Sequence, residues 1–275
     1  MTVDLHLHTT ASDGRCTPTE LVERAAAAGV TAMAVTDHDT TAAVAEVQSV
    51  AGTFGIEAIS GIEITAVEAG RDVHLLGYFI DPDNAELAAF LSRQRTQRIA
   101  RVEAMCDRLA QLGMPIDMRP VLAQARESGG RSIGRPQIAR AMVAAGYVAD
   151  IREAFDRWLA MGRPAFVPRA GAPPKEVMTI VRGAGGLTSL AHPGQTAIDA
   201  RISEYCVAGL DAIEVYHPDH DAASTERYRE LASRLMVLST GGSDFHGDPS
   251  HGLDPGSVTL PDDAWLRFRA AAPHG

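Results

Sequence analysis

Val3-Asp4-Leu5-His6-Leu7-His8 alternates apolar and polar residues, the period-two pattern of a strand. The alternation puts His6 and His8 on one face, about 7 Å apart at strand rise. Asp13 follows five residues after His8. Two imidazoles and a carboxylate so grouped are a metal site or, more blandly, a polar strand face. Farther along the chain, histidines and acids follow short apolar stretches repeatedly: His38, Glu63, His192, His217, then Asp244 with His246. Chance placement explains one or two such coincidences, not a series.

The elements that must position them read as a strand-then-helix repeat. Asp13-Gly14 is a turn, and Thr17-Pro18-Thr19-Glu20 is a helix start with Thr17 as cap, Pro18 in the first turn and Glu20 completing a capping box. That helix ends at Gly29. Thr31–Val35 is a second strand, Thr41–Phe54 a helix, and a third strand leads through Ile59 to Glu63. Ile62–Thr65 and Val73–Tyr78 are joined by a turn over Val67–Arg71; a reversal centred between Glu68 and Ala69 sets Glu63 directly opposite His74. Opposed residues on one face have Cβ atoms about 5 Å apart, so the pair is either a shared metal position or a cross-strand polar contact.

Residues 81–165 lose the strands. A helix opening on the run Arg93–Arg101 ends near Gly113, Ser132–Pro136 precede a second, and Asp150–Met161 is a third. The run of arginines is either a solvated face or a binding patch. Arg135, at a helix N-terminus, is a candidate phosphate seat. Alternation then resumes with a helix over Pro173–Gly183, strands at Gly186–Leu190, Ala212–Val215 and Met236–Ser239, and a helix over Glu226–Leu235. The chain thus divides into a main domain, 1–80 with 166–275, and a helical insertion closing over one of its ends. In a barrel of parallel strands and helices, all carboxyl ends of the strands share one face, where residues remote in sequence converge.

Composition narrows the class. The 275 residues are 45% hydrophobic and carry a formal charge of −10, enough chain for a large α/β domain and a surface that repels duplex DNA. No stretch reaches the roughly 18 apolar residues of a membrane span. Cys16, Cys106 and Cys206 make neither a disulfide framework nor a zinc knuckle, and strand pattern begins at once without a leader, so a cytoplasmic protein without an evident obligate partner is expected.

His6-x-His8 with Asp13, Thr36-Asp37-His38-Asp39, Gly61-Ile62-Glu63, His74, Ala191-His192-Pro193 and Gly242-Ser243-Asp244-Phe245-His246-Gly247 together resemble the PHP (polymerase and histidinol phosphatase) family. The resemblance implies a distorted (β/α)7 barrel with a helical insertion and a site for three divalent ions. Carried over, His6, His8, Glu63 and Asp244 hold one ion; His74, His192 and a bridging Glu63 hold the second; Asp13, His38 and His246 hold the third. Many members have histidine where this chain has Asp13. Imidazole and carboxylate ligands point to manganese, iron or zinc without choosing among them, and manganese is the first expectation.

Ile133-Gly134-Arg135-Pro136, Ala154-Phe155 and Gly162–Pro168 resemble the stand-alone phosphoesterases of the family. Those remove the 3′-phosphate of nucleoside 3′,5′-bisphosphates, such as adenosine 3′,5′-bisphosphate to AMP, or trim short RNA from the 5′ end. The implied phosphate contact is Arg135, with Lys175 as a second candidate. Three divalent ions bring about +6 and three carboxylates return −3, a positive pocket suited to phosphate. The expected mechanism is attack by a hydroxide bridging the ions, with His217 or Asp39 protonating the leaving group or merely orienting a ligand. The alternatives are a histidinol-phosphate phosphatase, a metal-dependent amidohydrolase and a non-catalytic module.

Overall fold

The computed structural model describes residues 1–126, 132–196, 198–247 and 253–273. In chain order the elements are β1 Val3–Leu7, α1 Pro18–Ala27, β2 Ala32–Val35, α2 Val44–Thr53, β3 Glu57–Glu68, β4 Arg71–Tyr78, α3 Ala85–Gln111, α4 Arg119–Arg126 and α5 Arg135–Ala144. They continue as α6 Ile151–Ala154, running into a π-helical turn over Phe155–Leu159, then α7 Pro174–Gly183, β5 Leu187–Leu190, α8 Pro193–Thr196, α9 Asp199–Ala208, β6 Ala212–Tyr216, α10 Ala222–Leu235, β7 Leu238–Gly241 and α11 Asp262–Ala270. The expected capping box is present: Thr17 accepts from the Glu20 amide while the Glu20 carboxylate accepts from the Thr17 amide.

The seven strands pair in sequence order, parallel except where β4 runs antiparallel to β3 and β5. The edges nearly meet: Leu7 bridges Phe245, and the His8 amide donates to the Phe245 carbonyl at 3.0 Å. The result is the distorted seven-stranded barrel of the expected class. Gly242 sits at this seam because no side chain fits; an added Cβ would lie 2.4 Å from the His6 nitrogen and 2.7 Å from Asp4 Oδ1. Gly242→Ala should therefore cost about 1–3 kcal/mol, read as a drop of several degrees in Tm, whereas an unchanged melting curve would mean that the seam is loose.

Two strand readings need correction. Glu63 faces Leu76, and His74 faces Thr65, because the hairpin reverses one residue later than assumed, over Ala69-Gly70, which moves each partner by two. Both turn residues have positive φ, 49° and 76°, as a two-residue hairpin of matching twist requires. A slip of two preserves the face, so His74 still projects beside Glu63. In β1 the simple alternation breaks between Asp4 and Leu7, where the register against β2 shifts. Leu5 joins the interior cluster with Leu76 and Tyr78, whereas Leu7 packs under α1 and α2. Such an irregularity re-aims the strand and helps point both histidines inward.

The helices from α3 to the π-helical turn bury a cluster of their own, centred on Met105, Ile138 and Met142. The long helix α3 begins at Ala85, capped by Asn84, eight residues before the arginine run that was expected to open it. α4 had no counterpart among the expected helices, and the α2 helix starts three residues later than expected. The arginine run is split between faces. Gln94, Arg98 and Arg101 are buried, Arg95 is half-buried and Arg93 is exposed. Arg98 ties the helix to the barrel by donating to Asp39, to Thr65 Oγ1 at 3.0 Å and to the Ile133 carbonyl at 3.2 Å.

Candidate metal centre

Glu63, from the middle of β3, stands at the focus of the barrel mouth. Its Oε2 lies 3.3 Å from Nε2 of both His6 and His8 and 3.1 Å from His38 Nδ1. Its Oε1 lies 2.7 Å from His74 Nδ1 and 3.2 Å from His192 Nε2. Asp244, just beyond β7, sets Oδ1 3.3 Å from His6 Nε2 and 3.1 Å from His8 Nε2. Asp13 lies 3.3 Å from His246 Nε2 and 3.7 Å from His38 Nε2. Every position expected from the sequence to meet an ion is thus brought to one mouth. Among the described residues, three groups have donor atoms within 4.8 Å of one another: His8 with Asp13, His38 and His246; His6 with His8 and Asp244; and His38 with Glu63 and His74.

The donor set fits cations. Nδ1 of His8 and of His192 are buried without a hydrogen-bond partner, and Nε2 of His8 with Nδ1 of His38 and His74 lie within 3.3 Å of carboxylate oxygens but outside hydrogen-bond geometry. Unpaired polar atoms are costly in a protein interior, and cations at this mouth would relieve that cost for the nitrogens that face it. Burial pushes the Glu63 carboxyl up, but the imidazoles of His38, His74 and His6 outweigh it and hold it well below the usual carboxylate range. Asp13 and Asp244 are likewise held down against burial, chiefly by His38 and by His6 respectively, with His246 beside both. Burial drives His38 down to about 3. Burial pulls His6, His192 and His246 down, but the carboxylates facing them (Glu214, Glu63 and Asp13 foremost) outweigh it and raise all three, so a cation would have to displace their protons, whereas the carboxylates are already in the ionised state that ligates.

Backbone strain gathers here as well. Asp39, His192 and Asp244 have φ of 51°, 26° and 49°, a region that ordinary residues avoid and that persists where surroundings enforce it.

Several contributors were not singled out from sequence. Glu214, wholly buried in β6, accepts from His6 Nδ1 at 2.9 Å and from the His192 amide at 2.7 Å. It fixes the His6 tautomer so that Nε2 presents a lone pair to the centre. Asp4 accepts from Ser243 and the His6 and Gly256 amides, while Asp37 accepts from Thr9 and Ser12. For Glu214 the signal was an acid inside the otherwise apolar strand Ala212–Tyr216, which a surface position explains equally well.

Asp39 differs from its sequence reading as a leaving-group acid. Its carboxylate is engaged by Arg98, by Arg169 at 3.5 Å and by the Thr65 amide at 3.0 Å. Burial pushes it up, yet Arg98 and Arg169 outweigh burial and keep it ionised, which suits anchoring the arginines and not giving up a proton. His217 retains a proton-bearing geometry: Nδ1 accepts from the Asp219 amide at 3.1 Å, leaving the proton on Nε2, 3.4 Å from Asp244 Oδ2. Arg135 pairs with Asp72 at 3.1 Å, and Asp72 shares the β4 face with His74. Lys175 is exposed in the first turn of α7, and neither it nor Arg135 is among the residues that line the cavity beside the centre.

A cavity of about 1010 Å³ opens from the centre toward α5 and the π-helical turn. It is lined by Asp13, Asp244, His246 and His217 on the barrel side and by Arg140, Ile151 and Phe155 on the helical side.

The PHP domain family model matches residues 4–97. The chain is 33% identical over 259 residues to a 3′,5′-nucleoside bisphosphate phosphatase of Chromobacterium violaceum, covering 92% of this chain and 90% of that protein. This chain belongs to the PHP family. It is also 34% identical to a 5′-3′ exoribonuclease of Haemophilus influenzae, covering 88% and 89% of the two chains. A phosphoribosyl 1,2-cyclic phosphate 1,2-diphosphodiesterase of Eggerthella lenta is 34% identical, with 90% and 95% covered. Among solved structures, a metal-dependent phosphoesterase from Bifidobacterium adolescentis superposes with a TM-score of 0.88 at 35% identity, covering 99% of this chain and 96% of that one. Like these PHP proteins, the chain is a metal-dependent phosphoester hydrolase, and its His/Asp/Glu clusters are able to bind metal. Among the described residues, no helix is long and apolar enough to cross a membrane.

Proposed function

We propose that the enzyme removes the 3′-phosphate of nucleoside 3′,5′-bisphosphates and also shortens small RNAs from the 5′ end. The observation that carries this reading is the similarity over nine-tenths of both chains to a bisphosphate phosphatase, together with a roomy cavity at the centre. In this reading residues 1–80 and 166–275 form the catalytic barrel, and 81–165 form a lid that supplies Arg135.

His6, His8, Asp13, His38, Glu63, His74, His192, Asp244 and His246 would hold three divalent ions, manganese by preference. When bound, such ions supply an acidified water and a counter-charge for the phosphoryl oxygens. The protein's own groups do the rest. Arg135, held by Asp72 and by the rings of Phe155 and Phe166 at 5.7 and 6.0 Å, binds a phosphate oxygen of the substrate. His217 carries its proton on Nε2 beside Asp244 and donates a hydrogen bond from it to the departing oxygen.

Phosphate release with manganese across adenosine 3′,5′-bisphosphate, phosphoribosyl 1,2-cyclic phosphate and histidinol phosphate tests the assignment. The bisphosphate should turn over fastest; faster release from either of the others overturns it. The cyclic ester is the second reading to keep, since a relative named for it is 34% identical. Arg135→Ala should raise KM for the bisphosphate about 10- to 100-fold with metal content unchanged, the worth of a hydrogen bond to a charged group. An unaltered KM would place the arginine outside the phosphate seat.

A further inference from the structure

Resting on the nucleotide reading above, we propose that the cavity beside the metal centre seats the nucleobase of the substrate, stacked on Phe155. Phe155 opens the π-helical turn that continues α6, and such turns recur at functional sites. Its ring is half-buried and lines the same space as Asp13, Asp244 and His246, so a phosphoryl group at the centre and a planar group on Phe155 share one cavity. Ile151 and Val143 line this space too and extend the apolar surface around the ring.

The room and the chemistry both suit a nucleoside. A volume of about 1010 Å³ far exceeds what a phosphoryl group needs, and falls at the upper end of ordinary small-molecule sites. An aromatic face accepts any base, because every base offers a π-face. Gln195 and Asp219, hydrogen-bonded to each other, also line the cavity and offer donors and acceptors to a base edge. Phe155 also lies against the Arg135 guanidinium, so the two roles must be separated by experiment.

Calorimetric binding of AMP and of ribose 5-phosphate to wild type, Phe155→Leu and Phe155→Tyr makes the separation without turnover. Losing the stack should weaken AMP about 5- to 150-fold in the leucine variant, with ribose 5-phosphate unaffected and the tyrosine variant close to wild type. An equal loss for both ligands would assign Phe155 to holding Arg135, and unchanged AMP binding would place the base elsewhere; either overturns the proposal. KM for adenosine 3′,5′-bisphosphate should rise in parallel in the leucine variant. If wild type binds AMP through Phe155 but releases no phosphate from the bisphosphate, the substrate assignment fails while the base shelf stands.

Discussion

Glu63→Gln should abolish phosphoester hydrolysis, by at least about 10³-fold in kcat/KM, and strip most bound metal while leaving the circular dichroism spectrum unchanged. The expectation follows from position. Both oxygens of Glu63 face imidazoles, with His6, His8 and His38 around one and His74 and His192 around the other. An amide of the same shape removes the negative charge that links these donors and turns one oxygen into a donor group that no cation accepts. The loss should exceed the 10- to 100-fold typical of residues that only orient a ligand. Elemental analysis alongside a phosphate-release assay checks it. A variant with full metal and near-normal turnover would remove Glu63 from the centre.

Glu214→Gln should behave differently, weakening metal affinity about 10- to 100-fold yet recovering activity at high metal concentration. The carboxylate accepts two hydrogen bonds, from His6 Nδ1 and from the His192 amide. Glutamine has only one oxygen, so its amide group must oppose either a backbone N–H or the His6 proton. In the first case a buried donor goes unsatisfied at a strained residue, with φ of 26° at His192. In the second the His6 proton moves to Nε2, where it blocks the lone pair aimed at the centre. Metal titration of activity in a chelator-buffered series measures the shift. An unaltered midpoint would mean that Glu214 leaves the histidines unaffected.

A milder effect is expected at the anchor of the helical segment. Arg98→Lys retains the charge but not the fork that joins Asp39, Thr65 and Ile133. It should lower both Tm and kcat modestly, and an unchanged kcat would show that the anchor does not bear on His38 beside it.

His8, His38, His192, Asp244 and His246 were legible because each follows a short apolar strand, and a barrel sends such strand ends to one mouth. His6 and His8 were further marked by local alternation. What stayed hidden depends on contacts between distant segments. The side chain of Glu214 is fixed by β1 and by the loop after β5, and the roles of Asp4 and Asp37 likewise arise only once β7 and the β1 loop close around them. Asp39 looked like a free acid because Arg98 and Arg169, 59 and 130 residues away, neutralise it. The hairpin register went astray by two residues because Ala69-Gly70, not the preceding pair, supports positive φ at the turn. Even so, the face survived the slip, which is why the pairing of Glu63 with His74 held in space.

Anomalous diffraction from crystals loaded with manganese tests the whole account most directly. It should reveal three peaks at the barrel mouth: one among His6, His8, Glu63 and Asp244, one among Glu63, His74 and His192, and one among Asp13, His38 and His246. Peaks confined to surface carboxylates, with these side chains left unligated at saturating metal, would contradict it.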